Sequence, residues 1–193
     1  MVSRIGPLVE VGRKKTALAL HVAGGLAGGV AIGVLLGFAG LLLRAAIGNT
    51  LDTIFLVVVP AALLYTAVVD LGLLPLPGFT SSRQTPGSWD CALGHYPGVF
   101  AWGFDLGLGV TTRIPYQALL VLPLAAVLAG DLAAAVAITG VYGAARAVAV
   151  AAAISAADSD YAGACDAIQT RVRPLKIVVG ATALVIAALI VIS

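Results

Sequence analysis

The fold is decided by residues 16–43, which read TALALHVAGGLAGGVAIGVLLGFAGLLL and contain no formally charged side chain. A helix needs about 20 apolar residues to cross the hydrocarbon core of a bilayer, and this run exceeds that length. It is also too long for the apolar core of a cleavable signal peptide, which holds about 7–15 residues. We therefore interpret it as the first transmembrane helix.

The rest of the chain has the same character, since 61% of its 193 residues are hydrophobic and 10% are charged. A soluble domain carries roughly 25% charged and 45–50% apolar residues. The polar side chains are too few to cover a water-exposed globule, which excludes a soluble enzyme, a disordered chain and a nucleic-acid-binding protein. The composition predicts one integral membrane domain over residues 1–193, with the lipid bilayer as its surroundings.

Five apolar runs divide the chain, at about 16–45, 51–75, 97–129, 132–155 and 175–193. Transmembrane β-strands would be shorter and would alternate in character, so the runs predict an all-α, polytopic membrane helix bundle. Residues 158–174 are polar and are interpreted as an aqueous loop. The number of crossings depends on residues 97–129, which are long for one helix and short for two. We expect about six transmembrane helices, with five as the alternative.

Basic residues in short loops favour the cytoplasm. Those between Arg4 and Lys15 place the N-terminus there, in a multi-pass protein of the cell (plasma) membrane. Six crossings would put the basic residues at 171–176 outside, against this rule, whereas five would put them inside together with Arg83. Six is preferred because small membrane proteins built from repeats often have six spans.

A glycine ridge is the clearest local pattern. It consists of Gly25, Gly29, Gly33 and Gly37, with Gly24 and Gly28 alongside. Each step of four residues turns by about 40° on a helix, so these glycines form a bare, slowly winding groove. Helices in lipid associate by close packing, which such grooves permit. We expect internal helix packing, with a homo-oligomer contact or a substrate path as alternatives.

Three charges fall within apolar runs, at Asp105, Arg113 and Arg146. A charge at membrane depth costs a few kcal/mol or more, so such residues usually pair or line a polar cavity. We predict an Asp105–Arg146 ion pair, which either fixes helix register or handles a substrate or proton. The residues assigned to this buried charge cluster or substrate path are His21, Asp105, Thr111, Thr112, Arg113, Tyr142 and Arg146.

The two histidines support no metal site, because His95 is assigned to a loop and a single imidazole binds metal poorly. His21 lies above the glycine ridge and is interpreted as a hydrogen-bonded structural residue, with proton relay as the alternative. Residues 102–115 are interrupted by glycines and a proline, which indicates a kinked packing helix or a transporter site. No catalytic motif is visible, so neither an enzyme nor a cofactor is predicted.

The stretches 103–113, GFDLGLGVTTR, and 140–146, GVYGAAR, resemble small actinobacterial membrane proteins of the cytochrome c biogenesis transmembrane (CcdA-like) type. The resemblance implies a six-helix bundle that passes reducing equivalents across the membrane through two intramembrane cysteines. Here Cys91 and Cys165 fall in polar connections and neither follows a proline, which counts against thiol chemistry.

Three functions therefore stay open. The first is a small membrane transporter or membrane-transport subunit that uses the polar faces around Asp105, Thr112 and Arg146. The second is a non-catalytic assembly or anchoring subunit, which would pack through the glycine ridge as a homo-oligomer or against a membrane-complex partner. The third is a CcdA-like thiol or electron transfer protein.

Overall fold

A computed structural model describes residues 13–73, 92–109, 116–157 and 160–192. These residues form helices and no strand. The helices are α1 (Lys14–Ile47), α2 (Thr50–Leu71), α3 (His95–Leu108), α4 (Gln117–Leu128, whose first four residues form a 3-10 turn), α5 (Leu132–Ala156) and α6 (Tyr161–Ile192). The prediction of an all-α helix bundle is confirmed.

Four segments of the described chain are long and apolar enough to cross a membrane. They are α1, α2, α5 and residues Thr170–Ile192 of α6. Their outward faces are apolar, as lipid contact requires, with Leu42 73% exposed and Val141 70% exposed. These helices support a multi-pass membrane protein.

The run 97–129 contains two short helices, α3 and α4, of 14 and 12 residues. At 1.5 Å per residue they extend about 21 Å and about 18 Å, so each is shorter than the roughly 30 Å hydrocarbon core. α3 ends where Gly109 adopts a left-handed conformation, with φ 72°. α4 begins after Tyr116, whose backbone is extended. Each of the two is also shorter than the four segments that are long enough to cross a membrane.

The interpretation of residues 158–174 as a loop is wrong from Tyr161 onwards, because α6 begins there and continues through Pro174. Polarity indicates contact with water, and a helix can satisfy its own backbone in water as well as in lipid. The 32 residues of α6 extend about 48 Å, which is more than the bilayer core requires. Arg171 and Pro174 are accordingly exposed.

The described residues group into two compact units. The first contains those within Met1–Ile32, Ser82–Arg113 and Thr139–Thr170, and the second those within Gly33–Ser81, Ile114–Ile138 and Arg171–Ser193. The core of the first unit is a cluster of Ala17, Val99, Trp102, Ile154 and Ala157. The core of the second is a larger aliphatic cluster that includes Leu51, Leu63 and Val121.

In the second unit, α4 has a charged side chain at each end. The carboxylate of Asp70, at the end of α2, accepts hydrogen bonds from the backbone N–H groups of Gln117 and Ala118, each at 3.0 Å. At the other end, Arg44 donates to the carbonyl oxygen of Ala129 at 3.2 Å. The helix dipole favours a negative charge at the N-terminus of a helix and a positive charge at its C-terminus. These two groups hold a helix that is too short to be stable by itself.

Candidate functional site

Helices α1 and α3 of the first unit pack backbone against backbone. A Cβ added at Gly24 or Gly28 would lie closer than 3.0 Å to a carbonyl oxygen of α3. One added at Gly103 or Gly107 would lie equally close to a carbonyl oxygen of α1. Only glycine, which lacks a Cβ, permits this approach, and each of the two helices contributes a pair of glycines spaced by four to the contact.

Helix α5 packs against the adjacent side of α1. A Cβ at Gly25 would lie within 3.0 Å of the Gly143 carbonyl oxygen, and one at Gly29 would lie equally close to α5 backbone. These two members of the predicted ridge therefore contact another helix of the same chain. The other two belong to the second unit, where Gly33 is buried and Gly37 packs against the first turn of α5.

His21 lies inside the first unit and is completely buried. Its Nδ1 atom is 3.4 Å from the backbone carbonyl oxygen of Val99 on α3. A carbonyl oxygen only accepts hydrogen bonds, so we assign the ring proton of neutral His21 to Nδ1. Its Nε2 atom then carries a lone pair, and that buried atom has no hydrogen-bond partner.

Two further ring nitrogens on α3 are buried without a partner, Nε1 of Trp102 and Nε2 of His95. The two residues are seven apart, which places them on one face of the helix. Trp102 is 3% exposed and packs beside Val99, the residue whose carbonyl meets His21. An unpartnered buried polar group costs roughly 1–3 kcal/mol, so three of them in one unit need a physical explanation.

Arg146 reaches the C-terminal end of α3. Its Nη1 atom donates to the carbonyl oxygen of Leu106 at 3.2 Å and to the hydroxyl of Tyr142 at 3.1 Å. Leu106 belongs to the last turn of α3, whose carbonyl groups have no partner within the helix. Gly109, the residue that ends α3, packs on the ring of Tyr142. The guanidinium of Arg146 and the phenol of Tyr142 thus lie at the C-terminal end of α3.

Asp105, in the same last turn, is 7% exposed and takes part in a polar interaction. The Asp105–Arg146 ion pair stays a prediction, although Arg146 binds the residue that follows Asp105. Thr111, Thr112 and Arg113 lie outside the described residues. The structure thus brings four of the seven predicted site residues into the first unit, on α1, α3 and α5: His21, Asp105, Tyr142 and Arg146.

The described ranges bear on a metal site but not on thiol chemistry. These contain no group of three His, Cys, Asp or Glu side chains that could hold a metal ion. Cys91 lies outside the described residues. Cys165 lies on α6 rather than in the loop predicted for it, and its side chain is outside the description.

Three residues of interest were not identified from the sequence. His95 was assigned to a loop but is the first residue of α3. Trp102 lies in the glycine-interrupted stretch 102–115 and Asp70 in the apolar run at about 51–75, and the sequence assigned neither of them a role. For Asp70 a signal was present, since a lone carboxylate at the end of a membrane helix needs a partner.

No protein-family model, curated protein or solved structure matches this chain. The CcdA-like resemblance therefore stays an expectation, and function is inferred from the residues of the first unit.

Proposed function

We propose that this chain is a small multi-pass membrane transporter, or the membrane-transport subunit of a complex, whose polar path follows α3 and α5 in the first unit. The observation that carries the proposal is the end of α3. There a buried carboxylate, Asp105, and a cation, Arg146, lie at the terminus of a helix that stops short. Helix ends at membrane depth present free backbone carbonyls and partial charges, which bind ions and polar solutes in transporters.

The free-energy cost of placing Arg146 and Tyr142 within the membrane supports the same proposal. Arg146 and Tyr142 are only half-buried, on a helix that exposes the apolar side chain of Val141 on its outward face. A guanidinium that is not fully enclosed by protein must reach water or a polar partner, because exposure to hydrocarbon costs a few kcal/mol or more. A hydrated path beside α5 would supply that water.

For the topology we propose about six crossings, with five as the alternative, and a cytoplasmic N-terminus in a multi-pass protein of the plasma membrane. α1, α2, α5 and residues Thr170–Ile192 of α6 account for four of them, and residues 97–129 supply one or two more. Five crossings would place the basic residues at 171–176 on the cytoplasmic side together with Arg83, as the charge rule favours. A reporter fused after Ser193 would be active outside the cytoplasm with five crossings and inside with six.

The hydrated path can be tested without knowing the substrate. In a chain carrying Cys91→Ser and Cys165→Ser, single cysteines would be placed at Tyr142 or at its neighbour Val141. A charged, membrane-impermeant methanethiosulfonate should modify Tyr142→Cys at least about tenfold faster, because a thiol forms its reactive thiolate only in contact with water. Val141→Cys is the matched control, since it lies one residue away and faces lipid. Equal, slow reaction at both positions would exclude the path.

Transport itself would be measured in proteoliposomes with a panel of labelled amino acids, sugars and small anions. Arg146→Gln should abolish uptake of any solute that the unaltered protein accumulates. Arg13→Gln removes the same charge from an exposed position and should leave uptake unchanged.

An anchoring subunit is the alternative, but the surface assigned to it is occupied. Gly25 and Gly29 pack against α5 of the same chain, so a partner would have to bind elsewhere. Stable, stoichiometric copurification of a second membrane protein, with no uptake of any solute, would favour this alternative.

A further inference from the structure

Among the described residues of the first unit, three buried ring nitrogens have no hydrogen-bond partner: His21 Nε2, Trp102 Nε1 and His95 Nε2. Trp102 and His21 are 3% and 0% exposed. Both are connected to the same residue of α3, since the His21 ring is hydrogen-bonded to the Val99 carbonyl and Trp102 belongs to the same core cluster as Val99. His95 lies one turn before Val99, at the start of α3.

The chemistry of these atoms is complementary. The indole Nε1 can only donate a hydrogen bond. The Nε2 of neutral His21 can only accept one, because its ring proton is engaged with Val99 on Nδ1. Water both accepts and donates, so enclosed water would supply the donor that His21 Nε2 needs and the acceptor that Trp102 Nε1 needs. Buried waters typically make about three hydrogen bonds to polar groups that would otherwise be unsatisfied.

We propose that the first unit encloses water at His21, Trp102 and His95, and that His21 is the group that binds the coupling proton of the transporter. The second half of this inference rests on the proposed function, whereas the enclosed water does not. A hydronium ion in the site would give its proton to Nε2 and become water. The resulting imidazolium keeps its Nδ1 bond to Val99, and it returns the proton to water when the site opens.

The charged side chains of the first unit suit a histidine that binds and releases a proton. Asp105 is the one carboxylate on α1, α3 and α5 among the described residues of this unit, and it would stabilise the imidazolium. The opposing positive charges on these helices are Lys14 and Lys15, at the start of α1, and Arg146. His95, Tyr96 and Tyr142 are the remaining titratable side chains on these helices within the described residues of this unit.

The enclosed water is testable by magic-angle-spinning NMR, because the chain has only two histidines. With [15N]histidine in lipid bilayers the chain gives two sets of imidazole signals, and the set that is lost in His21→Asn belongs to His21. We expect the neutral ring to carry its proton on Nδ1 and Nε2 to receive magnetisation from water. Trp102→Phe keeps an aromatic ring but removes the indole N–H donor, and it should weaken that transfer. A neutral ring with no transfer from water to Nε2 would overturn the inference.

The coupling role is tested in proteoliposomes that contain the pH indicator pyranine, after acidification of the outer solution. Proton entry driven by the solute found in the uptake panel should fall at least tenfold in His21→Asn. Unchanged proton entry in this variant, with solute uptake intact, would overturn the coupling role and leave the transporter standing. A hydrated, titrating His21 in a protein that takes up no solute would instead overturn the proposed function and leave the water site standing.

Discussion

Gly103 offers the sharpest test of how the first unit is packed, because one added methyl group would collide with the backbone of α1 at both His21 and Gly25. A Cβ there would lie closer than 3.0 Å to the carbonyl oxygen of His21, 2.9 Å from its carbonyl carbon and 3.1 Å from the amide nitrogen of Gly25. Backbone atoms cannot move aside by changing rotamer. Helices α1 and α3 would therefore have to separate by about 1 Å or more to approach the optimal contact distance of roughly 3.5 Å.

The magnitude follows from two opposing effects. Gly103→Ala gains about 1 kcal/mol of helix propensity, whereas forcing an extra carbon into a packed contact costs about 1–3 kcal/mol. Gly140 supplies the matched control, because an added Cβ there would meet only the Val30 and Leu26 side chains, at 3.6 and 3.7 Å. Gly140→Ala has the propensity gain without the overpacking. The free energies of unfolding of the two variants should thus differ by about 1–3 kcal/mol.

The assay is reversible unfolding by sodium dodecyl sulfate in mixed micelles, followed by circular dichroism. Gly103→Ala should unfold at lower detergent fraction than the unaltered protein or than Gly140→Ala. If the two alanine variants are equally stable, α1 and α3 do not meet through their glycines, and the packing described for the first unit is incorrect.

Three other predictions concern charges and thiols. Asp105→Asn and Arg146→Gln should each destabilise the protein while the double variant recovers part of the loss, because a lone charge is left buried; a coupling energy below about 0.5 kcal/mol in the unfolding assay would mean that the two residues do not interact. Asp70→Ala should lower the free energy of unfolding by about 0.5–2 kcal/mol through loss of the α4 cap, and an unchanged value would show that α4 does not need it. Cys91→Ser with Cys165→Ser should leave folding and uptake intact, whereas a disulfide between them, seen as a mobility shift in non-reducing electrophoresis, would favour the thiol transfer hypothesis.

The membrane helices were predictable because hydropathy is a property of consecutive residues. The expected first span, about 16–45, lies within α1, Lys14–Ile47. The expected run 132–155 nearly coincides with α5. Burial in lipid requires no partner from elsewhere in the chain, so the length and charge of each segment were sufficient.

The same reasoning failed where polar residues lie on a helix. Residues 161–173 were interpreted as a loop and form the first turns of α6. His95 was likewise assigned to a loop, although α3 begins there. Polarity reports whether a segment meets water, and a helical backbone is satisfied in either environment.

By itself, the sequence determined that this chain is a bundle of membrane helices, that a glycine-rich face runs along the first of them, and that charges at depth need partners. Tertiary structure alone decided the partners. Glycines spaced by four show that a helix can be approached closely, but Gly103 and Gly107 meet the backbone of His21 and Gly25 only because the fold brings residues about 80 positions apart together. Asp70 likewise caps a helix that begins 47 residues later. Such contacts depend on which helix faces meet in space, which the periodicity of one segment does not encode.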